Sequence, residues 1–413
     1  MKKTEQERKE TVITITYLPW FVLVLFKGMP GVWKSRHQLL LSWIIMMQAI
    51  APGPKTVKEL SRWCPSRFRE WHFRRLLKAG YWSVFIIISW FAEEAMKSFP
   101  HPKDGVIYVI GDSSEKPKRG KKNPSAQKGR KGKNRPFFFG IRFAILVVCW
   151  DVFRIPVDFR IILPKDHKSY KNENRLFREM LENFQSPDWA ETVIVMGDAA
   201  YGSRANMKAV REKDKADRKR RWFFVFSVSR TWKQENGKSI KDFVTYLPHK
   251  LFKKTWIPPL CKGQRRKLFW IFGKVVRLRH VGEVTVVLSK KGRNVSPKKT
   301  KILVTNLPNA TARQVISAYQ RRWSVEIIFK ELKSGLGLGQ HQVTKKEERT
   351  ENSFGVAIIA YLFLLRACKN EIRQGESWSI FQLTNSFGTK VITNQIRHTA
   401  ELEIKKIQKE LMK

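Results

Sequence analysis

The chain has 413 residues, long enough to bury a sizeable core, and its 81 lysines and arginines against 35 acidic residues give a formal net charge of +46. A basic excess of this size favours a polyanionic partner, and nucleic acid is the most natural one. Because 42% of the residues are hydrophobic and 15 are tryptophan, a disordered basic tail is excluded and a folded protein is predicted.

The first hundred residues, 1–100, are predicted to form a mainly helical region with three apolar runs at 11–26, 39–50 and 84–91. The first run follows a charged start, as in a secretory leader, but Pro19 interrupts it and no small-residue cleavage site follows. The other two runs are too short to span a bilayer. We therefore expect three buried helices and no membrane partner.

Residues 56–78 resemble a helix-turn-helix. Thr56 and Glu59 have the spacing of a capping box, which predicts a short helix over 56–63, and a basic second helix is predicted over 67–78. The basic side chains of the second helix suit contact with a DNA backbone. An ordinary basic helical hairpin is the alternative interpretation.

From residue 104 onwards the sequence changes to strand-like runs rich in β-branched and aromatic residues. Three runs come first, and helical and strand-like stretches then alternate. This order predicts a mixed α/β fold and is the one expected of a ribonuclease-H-like core. The predicted elements are strands at 106–111, 137–150 and 153–163, a helix at 173–184, a strand at 192–198, a helix from 203 and a strand at 222–228.

A β-rich insertion is predicted over 229–306, with strand candidates at 267–279, 283–289 and 301–305. A long helix over 311–334 follows it, opened by a capping box and closed by glycines. Residues 367–413 are predicted to be a mostly helical tail.

Two acidic residues each come directly after an apolar run: Asp112 after 106–111, and Asp198 after 192–197. The end of a strand is where a buried sheet meets solvent, so an acid at this position can hold a cation. Strand-ending aspartates also commonly begin turns, and either residue alone is weak evidence for catalysis.

The long helix carries a more specific pattern. At 100° per residue, Tyr319, Arg322, Glu326 and Lys333 fall within an arc of about 60°, so one face presents an acid flanked by two cations and a phenol. The opposite face is apolar and can pack on a sheet. Read alone, the Arg322 and Glu326 pair could equally be a surface salt bridge.

Convergent carboxylates are what phosphodiester cleavage requires, because two divalent ions can activate the attacking oxygen and stabilise the leaving oxygen. Carboxylate and water oxygens suit Mg²⁺. Arg322 and Lys333 would then hold phosphate oxygens beside the metal ions.

The spacing Tyr319-x2-Arg322-x3-Glu326-x6-Lys333 matches the Y-R-E-K signature of insertion-sequence-four-type transposases at every residue and gap. Asp112 with Ser114 is similar to the Asp-x-Ser/Thr that this family has at its first strand end. Asp198 with Tyr201 and Gly202 is similar to its Asp-x-x-Phe/Tyr-Gly/Ser, and the basic stretch 116–134 is similar to the loop that often follows the first acid.

This resemblance covers roughly residues 104–366 and implies a ribonuclease-H-like catalytic domain of DDE type. It implies that Asp112, Asp198 and Glu326 ligate two Mg²⁺ ions, for which Mn²⁺ can substitute, and that Tyr319, Arg322 and Lys333 bind DNA. The implied reaction is hydrolysis at transposon ends, followed by attack of the freed 3′-hydroxyl on target DNA. The implied partners are double-stranded DNA, as terminal inverted repeats and target, and a second copy of the chain in a synaptic dimer.

In relatives of this type an aromatic residue of the insertion can stack on a flipped base, which makes Trp256 and Trp270 candidates. Core packing is the favoured role for Trp270, and also for Trp323 within the signature helix. No family motif is found in residues 1–100, so a role for this region in binding transposon ends rests on position and charge.

The cysteines form no Cys-x-x-Cys pair and the eight histidines show no metal-ligand spacing, so we expect no zinc site and no disulfide framework. A reducing bacterial cytoplasm fits best. Two other functions stay open: a ribonuclease-H-like nuclease without strand transfer, and a non-catalytic DNA-binding derivative of a transposase.

Overall fold

A computed structural model describes residues 15–78, 81–118, 120, 122–130, 137–341 and 346–411 of the chain. Part of the first apolar run, 11–14, and part of the basic stretch 116–134 lie outside the described residues. Five helices precede the first strand: α1 (Trp20–Leu25), α2 (Ser35–Ile50), α3 (Val57–Arg62), α4 (Glu70–Leu76) and α5 (Val84–Ser98).

Two of the three predicted buried helices are confirmed. In α2 every residue from 40 to 49 is buried, and α5 buries a stripe that includes Ile87, Ile88 and Phe91. The prediction for the first apolar run is wrong in its extent, because α1 begins only after Pro19 and leaves Trp20 exposed. Proline fixes the backbone before a helix and donates no N–H, so the helix starts after it.

The two helices of the predicted helix-turn-helix are present as α3 and α4, and the second is shorter than predicted. The hydroxyl of Thr56 accepts the backbone N–H of Glu59 at 3.2 Å and caps α3. A turn closed by the Phe68 N–H on the Pro65 carbonyl, at 2.8 Å, delays the start of α4 to Glu70. The DNA-docking role of this pair stays a prediction.

Within the described residues ten strands form one mixed sheet. They are β1 (Val106–Pro117), β2 (Ala126–Arg130), β3 (Phe137–Trp150), β4 (Phe153–Ile162), β5 (Thr192–Gly197), β6 (Arg221–Ser227), β7 (Lys253–Ile257), β8 (Lys267–Leu278), β9 (Gly282–Lys290) and β10 (Lys301–Thr305).

The predicted mixed α/β order is confirmed. Strands β1, β3 and β4 are antiparallel neighbours, and β5 and β6 then pair in parallel beside β1. The crossover helices are α6 (Glu173–Asn183), capped by Asn172, and α7 (Arg204–Ala216), capped by Ser203. Parallel neighbours require such crossovers, and helices covering the sheet explain why these strands are almost continuously apolar.

The residues predicted as a β-rich insertion, 229–306, continue the central sheet. Strand β10 pairs antiparallel with β6, and β9, β8 and β7 follow outwards in order. The unpaired edge of β6 offers backbone groups that a further strand satisfies, so the insertion extends the sheet. A short helix, α8 (Ile240–Tyr246), and the edge strand β7 were missed because each is brief and polar.

The predicted long helix over 311–334 is divided into three parts. Helix α9 (Ala312–Gln320) and helix α10 (Trp323–Lys330) are separated by a tight turn at Arg321 and Arg322, and a π turn over Glu331–Gly335 follows. Both turn residues keep right-handed helical dihedrals, so the direction of the helix is preserved.

The last two helices are α11 (Glu347–Ala367) and α12 (Ile380–Leu411). Residues 352–365 of α11 are all buried, since α2, α5 and α12 pack around this helix. The helices of 1–100 therefore share a core with those that follow the signature helix. Across the described chain, no helix combines the length and apolar character needed to cross a membrane.

A buried histidine joins α2 to the loop after the signature helix. His341 Nε2 lies 2.9 Å from Gln48 Oε1, and Gln48 donates to the Leu336 carbonyl. Burial, assisted by the charge of Lys118, lowers the pKa of His341 to about 3.

In the folded protein His341 therefore stays neutral below pH 6.5, where the unfolded chain binds a proton on this residue. Because only the unfolded state binds this proton, the free energy of unfolding falls as the pH drops below that value. We expect the unfolding free energy lost between pH 7 and pH 5.5 to be about 1 kcal/mol smaller in His341→Gln than in the parent chain. Urea unfolding at the two pH values measures this, and an identical loss in both proteins would contradict it.

Candidate active site

Asp112 and Asp198 lie side by side where the parallel pairing of β1 and β5 ends. The prediction that the first strand ends before Asp112 is wrong, because antiparallel pairing with β3 extends β1 to Pro117 and places Asp112 opposite Ile145. Asp198 directly follows β5, as predicted. The parallel register of β1 and β5 pairs Ile110 with Met196, and two more residues along each strand reach the two acids. Each acid follows a glycine, and a neighbouring side chain occupies the space that a larger residue would need. The ring of Phe177 packs against Gly111, and Tyr201 packs against Gly197. Any larger residue at these two positions would displace the strand ends that carry the acids.

Each aspartate has one carboxylate oxygen engaged by the backbone. Asp112 Oδ1 accepts from the Ser113 N–H at 2.8 Å, and Asp198 Oδ1 accepts from the Ala200 N–H at 2.8 Å. The latter bond closes the turn that leads into α7. These bonds fix the orientation of both carboxylates.

Arg322 joins the signature helix to the strand edge. Its guanidinium donates to Asp112 Oδ2 at 3.1 Å and also to Glu326 one turn further along the helix. Only 14% of the Arg322 side chain and 15% of the Asp112 side chain are exposed, so this is a largely buried contact and not a surface salt bridge. Arg322 thus connects Glu326 to Asp112, which lies next to Asp198.

Lys333 and Tyr319 complete the predicted face of the helix. The Lys333 ammonium donates to the Ser114 hydroxyl at 2.6 Å, two residues beyond Asp112. The Tyr319 hydroxyl donates to the Gly197 carbonyl at 3.5 Å, one residue before Asp198. On the other side of the helix Val325, Ile328 and Leu332 are fully buried, as expected for an apolar face against the sheet.

Burial dominates the electrostatics of Asp112, and neighbouring like charges add to its effect. Burial first, and then the charges of Asp198 and Glu326, raise the pKa of Asp112 to about 6, against the opposing effects of the Ser113 N–H and Arg322. One arginine does not fully compensate three carboxylates in a desolvated site. An additional cation at this edge would favour the ionised form of Asp112.

The donor set suits a divalent metal ion, because three carboxylates from two strand ends and one helix are hard oxygen ligands. The geometry does not form a finished site: among the described residues, no group of three or more acidic, histidine or cysteine side chains is close enough to hold a metal ion. The guanidinium of Arg322 lies between Asp112 and Glu326, and holding a metal ion with both acids would require this contact to rearrange.

The family comparison matches residues 109–363, more than half of the chain, to the model described as transposase DDE domain. The chain belongs to the transposase DDE domain family. The matched segment includes Asp112, Asp198 and the whole signature helix.

A solved structure similar to this DDE domain protein is the piggyBac transposase, in a cryo-EM synaptic complex with hairpin DNA. The two chains are 10% identical, with a TM-score of 0.46, and the match covers 95% of this chain and 80% of the piggyBac chain. No curated protein sequence matches the chain.

Trp256, Trp270 and Trp323 of this DDE domain protein differ in exposure, and the exposure of one of them contradicts its predicted role. Trp270 packs partly against the core from β8, as favoured, whereas Trp256 is 52% exposed on the edge strand β7. The packing role expected for Trp323 is wrong, because its side chain is 59% exposed at the start of α10. Its neighbours Arg322 and Val325 face the sheet, and this orientation turns Trp323 outwards.

Sequence reasoning about the DDE domain missed a buried ion pair behind the signature helix. Glu331 opens the π turn and lies 3.4 Å from Arg154 of β4. The same carboxylate accepts from the Tyr361 hydroxyl at 3.3 Å and from the Ile380 N–H at 2.9 Å. Arg154 also lies over the Trp378 ring, 3.9 Å from its centroid.

The contacts of Glu331 connect the end of the signature helix to α11, α12 and the sheet. Glu331 lies two residues before Lys333. Glu331 has no distinguishing signal in the sequence, since its partners are remote along the chain. The Glu331 carboxylate makes three buried contacts, with Arg154, Tyr361 and the Ile380 N–H, and removing its charge leaves Arg154 uncompensated.

We expect Glu331→Gln to lower the free energy of unfolding by about 3 kcal/mol, because breaking one side of a buried ion pair strands the other charge. Glu403→Gln is the matched control, since Glu403 pairs with Lys406 on the exposed part of α12 and should cost well under about 1 kcal/mol. Equal small effects in urea unfolding would show that the network contributes little.

Proposed function

We propose that this chain is a cut-and-paste transposase of the insertion-sequence-four type, which cleaves transposon ends and joins the freed 3′-hydroxyl to target DNA. The observation that carries the proposal is the convergence of Asp112, Asp198 and Glu326 with the signature residues Arg322 and Lys333 at one edge of the sheet. Membership of the transposase DDE domain family supports it.

The catalytic core in this proposal is ribonuclease-H-like. The support is the strand order, in which an antiparallel group of β4, β3 and β1 is followed by the parallel strands β5 and β6 with crossover helices. In this arrangement β1 and the end of β5 provide the first two acids, and the signature helix provides the third.

Asp112, Asp198 and Glu326 would hold two Mg²⁺ ions, or Mn²⁺ in their place. When bound, such ions supply Lewis-acid activation of the attacking oxygen and charge stabilisation of the leaving oxygen. The protein's own contribution is to hold the three carboxylates on rigid elements through the turn bonds at Asp112 and Asp198 and through the packed apolar face of α10.

The basic residues of the site would bind the phosphates of the cleaved end. Arg322 presents a planar fork that suits two phosphate oxygens, and Lys333 presents a compact charge beyond Asp112. Tyr319 fixes the helix to the strand end through Gly197. In the free protein Arg322 is held beside the acids by Asp112 and Glu326, and it would exchange these contacts for phosphate oxygens when metal ions and DNA bind.

The remaining parts of the proposal concern assembly. The basic helices α3 and α4 would bind the terminal inverted repeats, and two copies of the chain would pair in a synaptic complex in the bacterial cytoplasm.

The exposed aromatic ring of Trp256 is the better placed of the two insertion tryptophans to stack on a flipped base, since Trp270 is partly covered.

Asp112→Asn and Glu326→Gln should abolish cleavage of the element's ends while leaving end binding largely intact, because these carboxylates serve the chemistry more than the basic surface. The measurement is cleavage of the gene's own flanking DNA with Mg²⁺, alongside a gel-shift assay. Asp188→Asn is the control, since this aspartate is fully exposed. Normal nicking by either site variant would refute the assignment, and cleavage without joining in the parent protein would favour a nuclease.

Arg322→Ala and Lys333→Ala should weaken binding to transposon ends more than binding to random duplex DNA. A lost phosphate contact should also reduce the slope of log Kd against log salt concentration by about 0.9. Lys405→Ala, a charge change on the exposed part of α12, serves as control. Equal losses on both kinds of DNA would make these residues general backbone contacts.

A further inference from the structure

Lys301 stands at the edge of the sheet that carries the acids, although it comes from the insertion. The register of β10 and β6 pairs Leu303 with Ser227, and β6 runs parallel to β5 with Gly197 opposite Phe226. Following these registers, Asp198, Ser227 and Leu303 lie in one row across the sheet. Lys301 is two residues further along β10, beyond that row and on the side where the strands β5 and β6 end.

The ring of Tyr319 links Lys301 to the signature helix. The Lys301 ammonium lies 5.0 Å from the centroid of the Tyr319 ring, and the Arg322 guanidinium lies 5.9 Å from the same centroid. Both distances are in the range at which a cation is attracted to an aromatic ring. Tyr319, whose hydroxyl is bonded to Gly197, thus places two cations beside the acids.

The charges of the site act on Lys301 directly. Burial and the nearby charge of Arg322 lower the pKa of Lys301, while Asp198 and Glu326 act in the opposite direction. None of the ion pairs within 4.0 Å that the described residues form includes Lys301. Its side chain is exposed at the start of β10, within the field of two of the acids and paired with neither.

The two lysines of the site lie on opposite sides of the acids. Lys333 contacts Ser114 on the β1 side, and Lys301 lies on the far side of Asp198, beyond β6. A DNA strand that crosses the strand ends over the three carboxylates would meet Lys333 on one side and Lys301 on the other. Arg322 lies between them.

We propose that Lys301 is a further phosphate-binding residue of the active site, which holds the DNA backbone on the Asp198 side of the acids, opposite Lys333. The inference rests on the proposed function, because it assumes that DNA crosses this edge of the sheet. It assigns the insertion a direct role in holding the cleaved strand, through the first residue of its last strand.

The test compares Lys301→Ala and Lys301→Arg with Lys299→Ala, which removes the same charge two residues earlier in an exposed turn. The full-length protein is titrated without metal against duplex DNA taken from the end of its own element, at several salt concentrations. For Lys301→Ala we expect Kd to rise about tenfold, as for loss of one charged hydrogen bond. The salt slope should fall by about 0.9, while Lys301→Arg keeps most of the affinity.

Combination with Lys333→Ala sharpens the test. If the two lysines hold separate phosphates, their losses in binding free energy should add in the double variant to within about 0.5 kcal/mol. An unchanged Kd and salt slope for Lys301→Ala, or a loss no larger than that of Lys299→Ala, would overturn the inference. That result would leave Lys301 as a charge that only compensates the acids.

Failure of this inference can be told apart from failure of the proposed function. If Asp112→Asn abolishes cleavage while Lys301→Ala binds DNA normally, only the assignment of Lys301 falls. If Asp112→Asn still cleaves, the active site itself is wrongly placed, whatever the binding data for Lys301.

Discussion

The burial of Asp112 beside two further carboxylates, which repel it, is the constraint on which the site depends. Asp112 and Asp198 are forced together by the parallel pairing of β1 and β5, and Glu326 is added from the helix above them. Arg322 offsets part of this repulsion by contacting Asp112 and Glu326 at once. The raised pKa of Asp112 shows that the compensation is incomplete, which is the electrostatic condition that favours binding of a further cation.

The rest of the fold holds the two supports of these charges in place. Behind the strand ends, Phe177 and Tyr201 fill the space left by glycines, so α6 and the turn before α7 press on the sheet next to each aspartate. Behind the helix, the buried pair of Arg154 and Glu331 anchors the π turn that contains Lys333. The positions of the acids and of Lys333 therefore depend on packing and ion-pair contacts that lie behind the site.

The continuity of the sheet changes how the insertion is understood. Had residues 229–306 formed a detached lobe, their basic residues could have met DNA only at a distance from the acids. Because β10 pairs directly with β6, the insertion instead delivers Lys301 to the edge where the acids lie. The exposed Trp256, on the outermost strand, is carried by the same extension.

Sequence alone determined what is local in this protein. The bounds of β3, β5, β6, α6 and α7 follow from apolar runs and capping residues, whereas β1 continues past its apolar run to Pro117. The helical spacing from Tyr319 to Lys333 correctly placed these residues on one face. The tertiary structure decided everything that depends on which distant segments meet. The joining of β10 to β6, the break of the signature helix at Arg322, the exposure of Trp323 and the pairing of Glu331 with Arg154 all belong to this class. Periodicity reports the environment of a residue averaged over one element, whereas strand pairing and buried ion pairs are set by contacts between residues far apart in the chain.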